Sequence, residues 1–285
     1  MKRLLLLLVL LPLCLRADDG LLGSARASLA ANDVNAAVRT LERAVASQPA
    51  AAEAHWWLAH AYAVKAQRSG MFGQISLARK SAAELQAAVA ADPGHLDARM
   101  ELVSFYASSP GVFGGDLARA VAEAKEIARR DPMRGLEAEA RLAAAREDLV
   151  AAEQQLQLAA TRNPQRVEPL LWLGAFYLRR QRFAEAAATF ERALSMSPDL
   201  PRAEFGLGAT LASTGSDPVR AERLLQRYLA RAPGPTEPTR AHALYHLAVV
   251  HRRDDPARAR RELAEALLLD PGYGDAKRAL AELPK

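Results

Sequence analysis

Three histidines near the C-terminal end of the chain have the residue type and spacing for metal chemistry. His242 and His246 are four residues apart, which places two imidazoles on one face of a helix, where both can bind one zinc ion. His251 is a conceivable third ligand. A hydrolase of the HExxH type also needs a glutamate directly after the first histidine as its general base, but that residue is Ala243. We therefore interpret these histidines as structural or groove-lining and expect no metal. A hydrolase with a metal site on His242 and His246 stays open as an alternative.

The rest of the sequence offers little for covalent or cofactor chemistry. No serine lies in a G-x-S-x-G pattern, which is the usual setting of a hydrolase nucleophile. The Gly206-Leu-Gly208 segment looks like the start of a dinucleotide-binding loop, but no predicted strand precedes it, so we expect two packing positions in a helix. Cys14 is the only cysteine. We therefore expect no catalytic residue and no cofactor.

The first residues have the pattern of an export signal. The basic start Met1-Lys2-Arg3 precedes an apolar run from Leu4 to Leu15. A membrane-spanning helix needs about 20 apolar residues, so we expect a signal peptide over residues 1–17, cut after Ala17, and a periplasmic or secreted protein. Cys14 leaves a lipoprotein as an alternative, although the leucine before it is larger than lipoprotein processing prefers. Removal of the signal leaves a chain without cysteine, which excludes disulfides and thiolate sites.

The charge balance gives no argument for nucleic-acid binding. The chain has 38 Lys and Arg against 33 Asp and Glu, and three of the basic residues lie in the predicted signal. The remainder is nearly balanced, so we expect no nucleic acid as a partner. Residues 179–261 contain 15 arginines against nine acidic residues. Solvated helix faces explain most of this local excess, and an acidic peptide or other anionic partner is the alternative.

The elements that position these residues are predicted to be helices. Half of the residues are hydrophobic and only 6% are aromatic, which is typical of closely packed helices rather than sheets. Residues 167–198 show the pattern best, as two packed helices with small residues where the backbones approach. Pro198 closes this unit, because proline cannot continue a helix and suits the start of the next one.

Prolines mark a repeat of this unit along the chain. They stand at the ends of successive predicted helix pairs: Pro49, Pro93, Pro132, Pro164, Pro198, Pro233 and Pro271. The predicted units are 18–49, 52–93, 96–132, 133–164, 167–198, 201–233 and 241–271, with a capping helix at 274–283. A period of about 34 residues indicates an all-α solenoid of stacked helix pairs.

Residues 167–198 resemble the tetratricopeptide repeat in Leu173-Gly174, Tyr177, Ala186, Phe190, Ala193 and Pro198, with Leu170 in place of the usual tryptophan. The resemblance covers residues 18–283 and implies a right-handed superhelix whose first helices line a concave groove for an extended peptide or a partner helix. By this resemblance the groove positions are Trp56, His60, Met100, Arg141, Leu171, Arg179, Phe205, His242, Tyr245 and Arg253. Aromatic residues with arginines between them suit recognition of an extended chain. The alternative for Trp56 and Phe205 is packing against the neighbouring unit.

Two units have long segments between their predicted helices, at residues 68–74 and 108–115. Each contains a phenylalanine beside glycine, Phe72 and Phe113. Since every unit turns on the same edge of a solenoid, we expect the two segments to be neighbours. Our preferred interpretation is that they pack on each other, so that Phe72→Ala and Phe113→Ala couple in a stability cycle. The alternative is a lip that binds a partner.

The sequence as a whole predicts a non-catalytic scaffold that binds a protein or peptide partner in the concave groove. Besides the hydrolase, a membrane-tethered assembly factor stays open as an alternative. Contact with a membrane is expected only if the N-terminus is retained or lipidated.

Overall fold

A computed structural model describes residues 14–231, 233–234 and 237–284, and these residues form helices and turns without any strand. Most of the predicted signal peptide, residues 1–13, lies outside this part of the chain. Among the helices that are described, none combines the length and the apolar character needed to cross a membrane.

The described residues contain seven helix pairs and one last helix. The pairs are α1 (Cys14–Ala30) with α2 (Val34–Ser47), α3 (Ala52–Gln67) with α4 (Met71–Ala91), α5 (Leu96–Ser108) with α6 (Leu117–Arg130), α7 (Pro132–Ala145) with α8 (Leu149–Arg162), α9 (Glu168–Arg179) with α10 (Phe183–Met196), α11 (Pro201–Thr214) with α12 (Pro218–Leu229), and α13 (Arg240–His251) with α14 (Pro256–Leu269). The last helix is α15 (Gly274–Glu282). Each helix packs on its partner and on the neighbouring pair, so the fold is the all-α solenoid that the repeat predicts.

Aspartate side chains begin six of these helices. In each case a carboxylate oxygen accepts a hydrogen bond of 2.9 to 3.1 Å from the backbone N–H three residues later. The six residues are Asp33, Asp116, Asp131, Asp148, Asp217 and Asp255. Such a cap satisfies one of the unpaired N–H groups of the first turn and stabilises a helix by about 1 kcal/mol. The caps therefore fix where the chain turns from one helix to the next.

The core of the fifth unit is as predicted. Leu173, Tyr177 and Phe190 are all buried. The ring of Phe190 lies between two glycines, because a Cβ added at Gly174 would be 2.8 Å from it and one added at Gly206 would be 2.3 Å from it. Close approach of the backbone to this ring therefore requires glycine on both sides, and the interpretation of Gly206 as a packing position is confirmed.

The second unit differs from the prediction of a long turn. Helix α4 has 21 residues and begins at Met71, so only residues 68–70 separate it from α3. The extra residues lengthen the helices because they contain no proline, and Gly70 can stand at the helix start. Helices of 14 residues are usual in this chain, so α4 is longer by about two turns, or about 10 Å.

The third unit has the long turn that the sequence predicts. Residues 109–116 separate α5 from α6 and contain one turn of 3-10 helix, Gly111–Phe113. Gly114 follows with a φ of 104°, a left-handed conformation that glycine adopts at little cost. This turn is next to α4, since Arg79 Nη2 donates a hydrogen bond of 2.8 Å to the carbonyl oxygen of Val112.

Candidate functional site

The first helices of the second to sixth pairs line a cavity of about 500 Å³, which we call the central groove. Its lining residues are His60 on α3, Asp97, Met100 and Glu101 on α5, Met133, Arg134, Glu137 and Arg141 on α7, Glu168 and Trp172 on α9, and Arg202 on α11, together with Asp131 and Arg166 in the turns. The floor includes methionine and tryptophan, while the remaining lining is mostly charged. A groove of this kind offers both apolar contact and ionic contact to an extended chain.

Several charges of the central groove pair with each other. Arg134 Nη2 lies 2.7 Å from Asp97 Oδ1, which joins α7 to α5. Arg141 Nη2 lies 2.6 Å from Glu137 Oε1, one turn away on α7. These ion pairs hold the arginine heads at the groove surface, and the partly exposed pairs stabilise the fold only modestly.

Two arginines of this region have no such carboxylate. Within the described residues, no acidic oxygen lies within salt-bridge distance of Arg179 or Arg202. Burial lowers the pKa of the Arg179 guanidinium, and the nearby positive charges of Arg141 and Arg180 lower it further. Arg202 lines the central groove, whereas Arg179 lies beside Arg141 at the far end of α9, so the two unpaired guanidinium groups stand at separate points of this region.

Glu101 is the most perturbed carboxyl of the central groove. Burial raises its pKa to about 7, and the charge of Asp97 acts in the same direction. The indole Nε1 of Trp56 donates a hydrogen bond of 2.8 Å to Glu101 Oε1 and partly opposes this shift. Glu101 is therefore only partly ionised near neutral pH. The other charged residues that line the groove are balanced, four acidic residues against four arginines: Asp97, Asp131, Glu137, Glu168, Arg134, Arg141, Arg166 and Arg202.

The predicted groove residues divide into three groups. His60, Met100 and Arg141 line the central groove, and Arg179 lies beside Arg141. Three of these four positions, His60, Met100 and Arg141, therefore lie in a groove lined by first helices. Only Arg141 and Arg179 present substantial exposed surface, since Met100 is buried.

The second group is buried by packing, which corrects the expectation that it faces a partner. Trp56 packs edge-on against Trp57, and the indole N–H of Trp56 donates a hydrogen bond to Glu101. Phe205 packs against Tyr228 and His246, whose ring centroids lie 5.3 and 5.6 Å away. Leu171 is also buried. Large apolar side chains at these positions complete the contact between adjacent units. Of the two interpretations of Trp56 and Phe205, packing against the neighbouring unit therefore agrees with the structure.

The third group lies at the C-terminal end of the chain. Tyr245 and Arg253 line a second cavity of about 500 Å³, between α13 and the last helix. The other ionic residues of this cavity include Arg252, Asp275 and Arg278. These residues belong to the surface covered by α15 and do not join the central groove.

A third cavity, of about 460 Å³, lies where the first two units meet the seventh, and we call it the seam cavity. Trp57 and His60 line it from α3, and His242 lines it from α13. Asn32 Nδ2 donates a hydrogen bond to the carbonyl oxygen of Leu269 across this junction. The two ends of the solenoid are therefore in contact, and His60 lines both this cavity and the central groove.

The three histidines of the seventh unit do not all lie on one face of α13. His242 Nδ1 accepts from the backbone N–H of Thr239 in a capping box. His246 is partly buried against Phe205, and this burial lowers its pKa to about 4. His251 Nδ1 lies 2.8 Å from Glu262 Oε2 on α14. His251 therefore faces α14, because a side chain five residues after His246 points away from it on the helix. The hypothesis that His251 is a third metal ligand is therefore wrong.

No cluster of three or more metal-ligating side chains occurs in the part of the chain that the structure describes.

The two insertions leave their aromatic side chains in unequal positions. Phe72 is 86% exposed on the first turn of α4, while Phe113 is 37% exposed. The interpretation that these segments pack on each other is therefore wrong for Phe72. The hydrogen bond to Val112 comes from Arg79, five residues beyond the predicted segment 68–74. Phe72 lies seven residues before Arg79 on α4, so it is about 10 Å along the helix from the side chain that contacts this turn.

Arg202 and Glu101 are groove residues that the sequence interpretation missed. Arg202 is the second residue of its unit and Phe205 is the fifth. The repeat numbering that selected Phe205 as a groove position could therefore have selected Arg202 as well. Glu101 follows Met100 directly, and only the hydrogen bond from Trp56 shows that its side chain turns into the groove.

Comparison with known proteins identifies the repeat. A family model described as tetratricopeptide repeat matches residues 22–68 and 137–201, and a second model with the same description matches residues 177–248. No curated protein matches this sequence.

Three of the solved structures that match have low sequence identity to this chain. A tetratricopeptide repeat protein from Parabacteroides merdae is 15% identical, with a TM-score of 0.50 over 93% of this chain and 98% of that chain. Yeast Tom70 is 14% identical, with a TM-score of 0.52 over 88% of this chain and 51% of that chain. PilF of Pseudomonas aeruginosa is 20% identical, with a TM-score of 0.47 over 79% of this chain and 97% of that chain. At such identities the likeness concerns the fold alone.

Proposed function

Because this chain belongs to the tetratricopeptide repeat family, whose fold generally serves as a scaffold for protein interactions, we propose that it binds an extended segment of a protein partner in the central groove. Proteins of this family are generally non-catalytic, and we propose the same for this chain. The observation that carries the proposal is that two arginines, Arg202 in the groove and Arg179 beside the groove residue Arg141, have no acidic partner in the described residues.

The groove surface favours a partner segment with acidic side chains beside apolar ones. A guanidinium that is partly removed from water gains most from a carboxylate, which it binds through two parallel hydrogen bonds. Burial of part of the side chain and the neighbouring positive charges lower the pKa of Arg179, while the residue as a whole keeps exposed surface that a partner can reach. The apolar part of the segment would contact Trp172, which is half-buried on the groove floor.

Selection from a random peptide library tests the proposal, because it lets the groove choose its own ligands. We expect the wild-type chain to enrich peptides that carry Asp or Glu next to an apolar residue. The variant Arg179→Glu with Arg202→Glu should bind the enriched peptides at least about tenfold more weakly in a fluorescence polarisation titration, because each lost ion pair is replaced by repulsion.

The matched control is Arg192→Glu with Arg223→Glu. Both residues are exposed on second helices, outside the groove, and have no acidic partner among the described residues. The control variant should bind like the wild type. Equal binding by the groove variant and the control variant would contradict the proposal.

We also propose that the protein is exported and that residues 1–17 are removed. The basic start, the apolar run and the small residue Ala17 support this proposal. The intact mass of protein recovered from the exporting cell should correspond to a chain that begins at Asp18. A mass that corresponds to a chain with its first 17 residues, or to a chain with lipid on Cys14, would favour the membrane-tethered alternative.

A further inference from the structure

The large apolar side chains that are strongly exposed are not spread evenly over the molecule. Nine such residues are exposed in the part of the chain described, and five of them belong to the two insertions and the first turn of α6. These five are Met71, Phe72, Val112, Phe113 and Leu117, and we call them the insertion patch. The other four lie singly on α8, α10, α12 and α14. Single exposed apolar residues are ordinary, whereas a cluster indicates a contact surface.

The geometry brings the two halves of the patch to one side of the molecule. Phe72 precedes Arg79 by seven residues, or nearly two helical turns, so both side chains lie on the same face of α4. Arg79 Nη2 donates to the carbonyl oxygen of Val112 at 2.8 Å. Val112 therefore lies beside the base of the helical extension, and Phe72 lies about 10 Å further along the same face.

Basic residues surround the insertion patch. Between Glu53 and Glu84 the chain contains Lys65, Arg68, Arg79 and Lys80 and no acidic residue. Lys80 Nζ lies over the ring of Tyr62 at 5.5 Å, so a contact within the fold holds its charged head beside α4.

The acidic residue that adjoins the patch in the chain is Asp116, directly before Leu117. Asp116 caps α6 by accepting a hydrogen bond from the N–H of Arg119, and Asp33 caps α2 in the same way. Arg119 adds another positive charge on the side of Leu117, with its guanidinium 4.3 Å from the ring of Tyr106. Arg79, which contacts Val112, and Arg119 therefore outnumber the one carboxylate that adjoins the patch in the chain, Asp116. Glu42 and Glu84 act on the ring of Tyr62 and partly balance Lys80.

We propose that the insertion patch binds an anionic phospholipid surface. Exposed phenylalanine, methionine and valine side chains can enter the boundary between headgroups and acyl chains, while the surrounding Lys and Arg residues attract the negative headgroups. This contact is peripheral and uses a surface separate from the central groove. It therefore holds whether or not the groove binds a peptide, and it needs no lipid on the N-terminus.

Vesicle binding by the full-length chain tests the proposal. Vesicles of phosphatidylcholine with an equal part of phosphatidylglycerol should sediment the wild-type chain at low ionic strength, and added salt should release most of it. The variant Phe72→Glu with Val112→Glu should bind more weakly by about tenfold or more, since each charge near the surface changes binding by about fivefold.

The matched control is Val219→Glu with Leu268→Glu. These residues are 78% and 79% exposed, close to the 86% of Phe72 and the 76% of Val112, but they lie on α12 and α14. The control adds the same charges and keeps the N-terminus, so it should bind vesicles nearly as well as the wild type. An equal loss of vesicle binding in the patch variant and the control variant would overturn the proposal. Vesicle binding by the patch variant that equals that of the wild type would also overturn it.

A second measurement locates the contact directly. In a Phe72→Trp variant the fluorescence of the new indole should shift to the blue when anionic vesicles are added, whereas a Leu268→Trp variant should show no such shift. An unshifted Phe72→Trp variant would overturn the proposal. Self-association that disappears in the Phe72→Glu and Val112→Glu variant would assign the patch to a second copy of the chain instead, and would also overturn it.

Discussion

Replacement of Gly206 by alanine should destabilise the protein, although alanine favours helices over glycine. A Cβ at this position would lie 2.3 Å from Cζ of Phe190, and 2.5 and 2.6 Å from Cε1 and Cε2 of the same ring. Carbon atoms in good contact are about 3.5 to 4.0 Å apart, so the ring or the helix must move by more than about 1 Å. The ring cannot move freely, because Gly174 already meets it on the opposite side.

Two opposing terms set the expected magnitude. Overpacking of a close-packed core costs about 1 to 3 kcal/mol, and the two-sided confinement of Phe190 favours the upper end. The higher helix propensity of alanine relative to glycine offsets up to about 1 kcal/mol of this cost. We therefore expect Gly206→Ala to lower the free energy of unfolding by about 2 kcal/mol, measured by urea unfolding followed by far-ultraviolet circular dichroism.

Gly23→Ala is the matched control. Gly23 lies in helix α1 and is exposed, and no atom lies within 4 Å of a Cβ built there. This variant should keep or slightly raise the stability, because only the helical preference remains. The packing argument would be refuted if Gly206→Ala raised the unfolding midpoint as Gly23→Ala does. A Phe190→Leu background should remove part of the cost of Gly206→Ala, since the contacting ring is absent.

Three further predictions concern the groove, the insertions and the helix caps. Since burial raises the pKa of Glu101 from 4.5 to about 7, its contribution to stability is present at low pH and is lost as the pH rises through about 7. Glu101→Gln should therefore be more stable than the wild type at pH about 8 by up to about 3 kcal/mol, with little difference at pH about 4, in parallel urea titrations. Phe72→Ala and Phe113→Ala should change stability additively within about 0.5 kcal/mol, because Phe72 is 86% exposed; coupling above about 1 kcal/mol would mean that the rings touch. Asp217→Ala should cost about 1 kcal/mol through loss of the hydrogen bond to the N–H of Arg220, while Asp217→Asn should be nearly neutral, and thermal unfolding distinguishes the two.

The sequence predicts the repeat architecture well because the repeat is encoded locally. The small and large residues of 167–198 specify how two helices pack, and the same spacing recurs along the chain. The packing role of Gly206 follows from this register, and so does the burial of Phe190. No long-range information is needed for these predictions.

The insertion of the second unit shows where local reasoning fails. Gly70 and Gly73 on either side of Phe72 favour a turn, but the helix preference of the residues that follow extends α4 back to Met71. The exposure of Phe72 then depends on how far this helix projects beyond the third unit. That distance is a property of the assembled fold and not of the segment.

The groove residues show a second limit. The repeat numbering places Phe205 and Arg202 on the same helix. It does not show which of the two side chains the next unit covers. Phe205 is covered by Tyr228 and His246, and Arg202 lines the groove. The contact between the first and seventh units is likewise invisible in the sequence, because it arises from the summed rotation of all the units between them.

The contact between Asn32 and Leu269 changes how the array of units can open. In a linear solenoid each terminal unit has one neighbour, so both ends fray independently of each other. Here loss of order in the first unit also removes a contact of the seventh unit and exposes the walls of the seam cavity, including Trp57. The two ends, which touch through residues 237 positions apart in the chain, therefore form one cooperative element. Amide hydrogens near them should exchange together, and a molecule that fills the seam cavity would slow exchange at both.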